Sequence, residues 1–172
     1  IYKTLSNEQK LFLAEMYILQ NLKEEAKKIF EEVYSEDRWE RGLFELGLNV
    51  YKKDEKRYRD ILEEGIIYQP ENTFLIERYA NFLVDQGNHK EAASWFRKID
   101  KPYFELIARI NDLLAEEQTD IKIVKSYIFE IVEKNPDLKN IALLKVALYA
   151  KSKGHYYNAY NLLREADLHE VD

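Results

Sequence analysis

Residues 78–99 read RYANFLVDQGNHKEAASWFRKI, two apolar-periodic stretches separated by Gln86, Gly87 and Asn88. Tyr79, Ala80 and Leu83 share one face of a helix, and Ala92, Trp95, Phe96 and Ile99 recur at the three- and four-residue spacing of a second. Glycine just past a helix adopts the left-handed conformation without a Cβ penalty, so Gly87 is read as the stop. Asn88 with Glu91 three residues later has the spacing of a capping box, which would start the next helix. The stretch is therefore expected to be a helical hairpin, with Ala92 small where the two arms approach most closely.

A hairpin this short cannot bury both its faces, so the same pattern should recur along the chain. Upstream, Leu13, Ala14 and Tyr17 precede Asn21, and Ala26 and Phe30 follow. Downstream, Val146, Ala147 and Ala150 precede Gly154, followed by Ala159, Leu163 and Ala166. The small second-arm residues at 26, 92 and 159 are spaced by twice a period of about 34 residues, which calls for two further copies in the gaps. Weaker ones are present: Leu46, Gly47 and Val50 with Tyr58, Leu62, Gly65 and Pro70, then Phe104, Ile107 and Ala108 with Val124, Ile128, Ile131 and Pro136. Other helix starts show capping-box spacing at Ser6 with Gln9, Asn21 with Glu24, and Asp37 with Glu40.

These positions resemble the signature of the tetratricopeptide repeat family, W-x2-L-G-x2-Y, then A-x3-F, then P. Leu13, Ala14, Tyr17, Ala26 and Phe30 fill it in copy one; Ala80, Ala92 and Phe96 in copy three; Ala147, Ala159 and Leu163 in copy five; Pro70 and Pro136 supply the terminal proline of copies two and four. No copy has the opening tryptophan, and Tyr58 and Val124 stand where copies two and four would carry alanine. The resemblance implies an all-α fold: a right-handed superhelix, or α-solenoid, of about five antiparallel helix hairpins and roughly ten helices. It implies a single array over 1–172, with repeats near 6–39, 40–72, 73–102, 103–137 and 138–172.

It also implies an inner groove lined by the first helix of each repeat. Projected onto this chain, the groove positions are Leu11, Glu15 and Ile18 with Glu8; Phe44 and Tyr51 with Leu48; Phe74, Glu77, Asn81 and Val84; and Leu144 with Ile141 and Leu148. Apolar and aromatic residues mixed with a few carboxylates and an amide suit a peptide or a partner helix better than a phosphate. Some members of the family clamp a chaperone's terminal carboxylate with groove lysines. Here the clamp lysine positions read Leu11, Phe44 and Glu77, with only Asn81 of matching type, which speaks against that use. The chain's own ending, Glu170, Val171 and Asp172, is read as coincidence and not as a functional tail.

Composition narrows the remaining classes. The chain has 172 residues, 46% hydrophobic and 34% charged, and a formal charge of −6, the profile of a folded protein. Residues 1–100 carry 16 basic and 20 acidic side chains and residues 101–172 carry 10 and 12, and no stretch is read as basic. Phosphate-backbone binding needs clustered cations, so no nucleic-acid partner is expected and the related RNA-binding helical repeat is disfavoured. No apolar run reaches the roughly 20 residues of a membrane helix, and no membrane contact by this segment is expected. Absent cysteine removes disulfides, thiolate ligands and cysteine nucleophiles. The three histidines, His89, His155 and His169, have no second ligand at helical spacing apart from acidic neighbours that a chain with 32 carboxylates supplies by chance, and no phosphate loop, dinucleotide fingerprint or nucleophile elbow occurs. No cofactor, no metal and no enzymatic activity are expected.

The reading is a soluble, cytoplasmic rather than periplasmic, protein-binding scaffold that holds a peptide or partner helix in its groove. The alternative is an assembly-factor or regulatory segment of a larger protein, including a membrane-anchored one. Position 1 is Ile, in keeping with a processed or shortened product. Tyr156, Tyr157 and Tyr160 gather in the last hairpin, where solenoids need a polar cap. Self-association through that hairpin, or further chain beyond it, is expected.

Overall fold

A computed structural model describes residues 4–166; His169 and the terminal Glu170, Val171 and Asp172 lie outside the described residues. Among the described residues there are ten α-helices and no strand: α1 (Asn7–Leu19), α2 (Lys23–Glu36), α3 (Leu43–Val50), α4 (Glu55–Tyr68), α5 (Thr73–Asp85), α6 (His89–Phe96), α7 (Pro102–Ala115), α8 (Ile121–Lys134), α9 (Lys139–Ser152) and α10 (Tyr156–Glu165). A short 3-10 turn, Pro136–Leu138, leads into α9. The chain divides into two compact units, residues 1–79 and 80–172, with the border inside α5.

Four of the five hairpin turns share one hydrogen-bond pattern. At the end of α5 the Gly87 amide donates to the Val84 carbonyl and the Asn88 amide to the Leu83 carbonyl. The same pair recurs at Asn21 and Leu22, at Glu117 and Gln118, and at Gly154 and His155. This is the Schellman motif, which satisfies the last orphan carbonyls and needs one residue with positive φ. That residue is Asn21 (φ 62°), Gly87 (74°), Glu117 (53°) and Gly154 (80°). Copy two turns differently, through Tyr51 to an Asp54 whose side chain accepts from the Arg57 amide at 3.0 Å.

Capping boxes are rarer than their spacing implies. Ser6 and Gln9 form one, each side chain bonded to the other's backbone amide. Asn88 makes no cap bond; its amide reaches the Glu91 carboxylate instead, at 2.6 Å. Asn21 is the left-handed turn residue, so α2 starts from Leu22 without a side-chain cap. Asp37 ends α2 and accepts from the Trp39 amide, six residues before α3 begins. Three of the Schellman turns feed the next helix two residues on, with no side-chain cap, whereas α8 starts four residues after Glu117 and the Asp120 side chain accepts from the Lys122 amide at 2.8 Å.

The first backbone bond of each second helix fixes the register. Ala26 donates to Leu22, Tyr58 to Asp54, Ala92 to Asn88, Val124 to Asp120 and Ala159 to His155. All five residues therefore occupy the same place in the second helix of their hairpin, including the two that break the alanine pattern.

In unit 1 the core is Ile29, Phe30, Leu43, Phe44, Ile61, Leu62 and Leu75, all fully buried. Two glycines admit this packing. A Cβ on Gly47 would sit 2.5 Å from Cε2 of Phe30, and one on Gly65 would sit 3.1 Å from Phe44 and Leu75. Lys10, only 5% exposed, joins α1 to α2 through Glu32 at 2.8 Å and Glu36 at 3.1 Å. In unit 2, α6 packs on α7, α8 on α9 and α9 on α10. Leu106, Val124, Ile128, Ala142, Leu143 and Val146 are fully buried in its core cluster. The Tyr149 hydroxyl reaches the carbonyls of Leu113 (2.9 Å) and Gln118 (2.6 Å), tying α9 to the end of α7.

Candidate functional site

A cavity of about 610 Å³ opens on unit 1, bordered by α1, α3 and the start of α5, the first helices of three successive hairpins. Helix α1 contributes Glu15, Met16, Ile18 and Leu19; α3 contributes Glu45, Leu46, Leu48 and Asn49; α5 contributes Phe74 and Arg78. Lys52 and Tyr58 complete it from the turn and from α4. The wall between α3 and α5 is fixed by Asn72. Its amide donates to Glu45 at 2.7 Å, while its carbonyl oxygen accepts from the backbone amides of Phe74 and Leu75. The second Glu45 oxygen is buried without a hydrogen-bond partner. The Arg78 guanidinium lies over the Phe74 ring at 5.0 Å.

Glu15, Ile18 and Phe74 thus meet at one cavity, along with Leu48, a residue 4% exposed that forms part of the floor. Leu11, 5% exposed, lies at the base of a separate hollow of about 400 Å³ beside Glu8, Phe12 and Arg41. Phe44 is a core residue and not a groove residue: it is fully buried, stacked on Tyr68 at 6.2 Å and edge-on to Tyr34 at 6.4 Å. The missing side chain of Gly65 makes room for that ring. Tyr51 turns towards α2, where its hydroxyl donates to Glu31 at 2.6 Å. Glu77 is half-buried in unit 1. Asn81, Val84 and Leu144 belong to unit 2, Asn81 exposed and the other two half-buried.

Met16, Leu19, Glu45, Leu46, Asn49, Lys52, Tyr58 and Arg78 escaped the projection. Tyr58 carried a readable signal, because a ring at the alanine place of the second helix is too large for the seam and comes out at the cavity. Leu46 is a buried residue of α3, and the remaining six each sit one residue after a projected position, where a small rotation of the helix decides which side chain faces the opening.

A second polar cluster of unit 1 alternates cations and rings. Arg57 lies over Tyr34 (5.0 Å) and Tyr51 (5.6 Å), and Arg38 over Tyr34 (4.7 Å) and Tyr68 (5.7 Å). Arg57 reaches both oxygens of Glu31 at 3.0 Å, and the Tyr34 hydroxyl donates to Glu64. Burial, helped by the carboxylate each hydroxyl faces, pushes Tyr34 and Tyr51 up to about 12. Unit 2 has a comparable network, in which Arg97 binds Glu105 and Asp112 while Arg109 binds Glu105 and Glu130. These groups are occupied with one another and stabilise helix packing. Among the described residues no group of three or more His, Cys, Asp or Glu side chains gathers in a way that could hold a metal ion.

No protein-family model and no curated protein matches the chain. Among solved structures it is similar to the crystal structure of PilW, described as a widely conserved type IV pilus biogenesis factor, with a TM-score of 0.64 and 17% identity over 96% of this chain and 77% of that one. It is also similar to a structure from the functional characterization of Pseudomonas aeruginosa pilF, with a TM-score of 0.57 and 16% identity over 92% of this chain and 75% of that one. At these identities the likeness is one of fold, and the chain is an all-α helical-repeat protein.

Proposed function

We propose that this chain is a non-catalytic scaffold of the tetratricopeptide kind, which holds a peptide or partner helix against the first helices of its hairpins. The observation that carries the reading is the unit 1 cavity, where α1, α3 and α5 present apolar side chains between charges of both signs. Its volume falls in the range of about 300–1,000 Å³ of pockets that enclose a drug-sized ligand, which leaves room for anchoring side chains of a partner. Leu19, 78% exposed, and Phe74, 37% exposed, are the apolar contacts a partner would cover. The test is capture of partners by the parent chain and by a Leu19→Arg, Phe74→Glu variant whose circular dichroism matches the parent. Loss of a partner with the variant supports the site; an identical set from both removes it.

A second reading is an assembly factor within a larger protein, in keeping with the likeness to PilW, a type IV pilus biogenesis factor. It predicts that deleting the gene in its source organism removes or shortens surface pili. A deletion strain with normal pili by electron microscopy eliminates it. RNA binding is the remaining alternative, and filter binding at low salt would expose it.

A further inference from the structure

The last hairpin differs from the rest of the molecule in charge. From Lys139 through Arg164 the chain carries five of its 26 Lys and Arg residues and none of its 32 Asp and Glu residues, a segregation hidden when residues 101–172 are averaged. Lys139, Lys151 and Arg164 are exposed, Lys145 and Lys153 half-buried, and none of the five forms an ion pair among the described residues. On α10, Tyr156 is 69% exposed, Tyr157 78%, Tyr160 59% and Leu163 38%. Tyr156, Tyr160 and Leu163 form one stripe at helical spacing, and Tyr157 and Arg164 border it on one side. The Arg164 guanidinium stays 5.8 Å from the Tyr160 ring.

The preceding hairpin shows what such a stripe is for. Helices α8 and α10 are the second arms of successive hairpins, and aligning their caps, Asp120 and His155, pairs Ile121 with Tyr156, Lys125 with Tyr160 and Ile128 with Leu163. On α8 these positions are covered in whole or in part. Ile128 is fully buried, Ile121 packs against the same cluster, and Lys125 donates to Glu165 of α10 at 2.9 Å. The cover consists of helices bringing Ala142, Leu143, Val146 and Leu162 into the cluster, with a carboxylate at the edge. On α10 the equivalent stripe is open, more aromatic, and bordered by cations that lack carboxylates.

We propose that this face of α10 docks an acidic amphipathic helix of a partner protein. The partner's apolar stripe packs on Tyr156, Tyr160 and Leu163, and its carboxylates pair with Arg164 and with Lys151 and Lys153 at the adjoining turn. Charge complementarity selects this occupant: a second copy packed symmetrically on the same stripe would bring one basic, carboxylate-free segment, Lys139 through Arg164, against another. With roughly 200 Å² per aromatic side chain, the open stripe offers about 300 Å² on this side, which makes the contact small and transient. The surface is confined to unit 2 and does not depend on the unit 1 cavity, so either reading can fail without the other.

The experiment titrates the isotope-labelled chain with two synthetic helical peptides of equal length and identical Leu/Ala stripe, their polar faces all Glu or all Lys, followed by amide chemical shifts. The Glu peptide is expected to give saturable shifts over Tyr156–Arg164, about tenfold weaker in high salt than in low salt. The Lys153→Glu, Arg164→Glu variant should weaken binding at least about tenfold, and Tyr156→Ser, Tyr160→Ser should abolish it, with circular dichroism melts like the parent. Equal response to both peptides, or none to the Glu peptide up to about 2 mM, overturns the proposal. So does the appearance of the same shifts with anionic lipid vesicles alone, or with rising concentration of the chain alone, which would assign the stripe to a membrane or to a second copy.

Discussion

At Gly47 a hydrogen atom is the largest side chain the packing admits. An added methyl would lie 2.5 Å from the Phe30 ring of α2 and 3.1 Å from Ile61 of α4, so it is crowded from both sides. Gly47→Ala is expected to destabilise the chain by about 1–3 kcal/mol, measured by urea unfolding. Glu117 is the opposite case. It holds φ 53° at a Schellman turn where Gly87 and Gly154 stand in two sister hairpins. A left-handed non-glycine residue costs about 1–2 kcal/mol, partly offset by the greater unfolded freedom of glycine, so Glu117→Gly should raise stability by up to about 1 kcal/mol. A lower melting temperature for that variant would contradict the turn assignment. Sequence marks Gly87 and Gly154 as helix stops, whereas the left-handed backbone at Glu117 is invisible in it, because glutamate has no preference for that conformation.

Between neighbouring residues and the whole chain, helix ends and seams set the behaviour. Ser6 forms a capping box and Asn88 does not, although both have the spacing. Ser6→Ala should therefore lose about 1 kcal/mol, while Asn88→Ala should change thermal stability little. Equal losses would show that Asn88 caps α6 in solution. The seam between α2, the turn after α3, and α4 is held by Tyr34 and Tyr51, both protonated up to about 12 in the folded chain. The unfolded chain releases these protons near pH 10, so the stabilisation is complete below pH 10 and is lost as pH rises towards 12. Melting temperature should fall steeply above pH 10, and Tyr34→Phe with Tyr51→Phe should flatten that decline. An unchanged pH profile in the double variant would mean that the two rings titrate normally.

Over the molecule as a whole, stability in a helical-repeat protein is close to a sum of hairpin terms and nearest-neighbour contacts. The two compact units, with a border inside α5, give that expectation a boundary. Gly47→Ala should reduce amide-exchange protection in unit 1 more than in unit 2, and equal loss in both would show that the chain opens as one cooperative block.

Periodicity, small residues and turn residues settled the hairpins before any coordinates, because each depends on hydrogen bonds and contacts within a few residues. Ala26, Ala92 and Ala159, and even the deviant Tyr58 and Val124, fall at one place in their helices because the first intrahelical bond is local. Which side chains face the cavity was decided only by tertiary packing. Phe44 is drawn into the core by the space at Gly65, Tyr51 is turned away by Glu31, and Leu19 and Arg78 come forward to an opening that the helix pattern did not assign to them. The fate of a half-exposed residue rests on partners twenty or more positions away along the chain, as with Tyr51 and Glu31, and helical spacing carries no record of what those partners leave open.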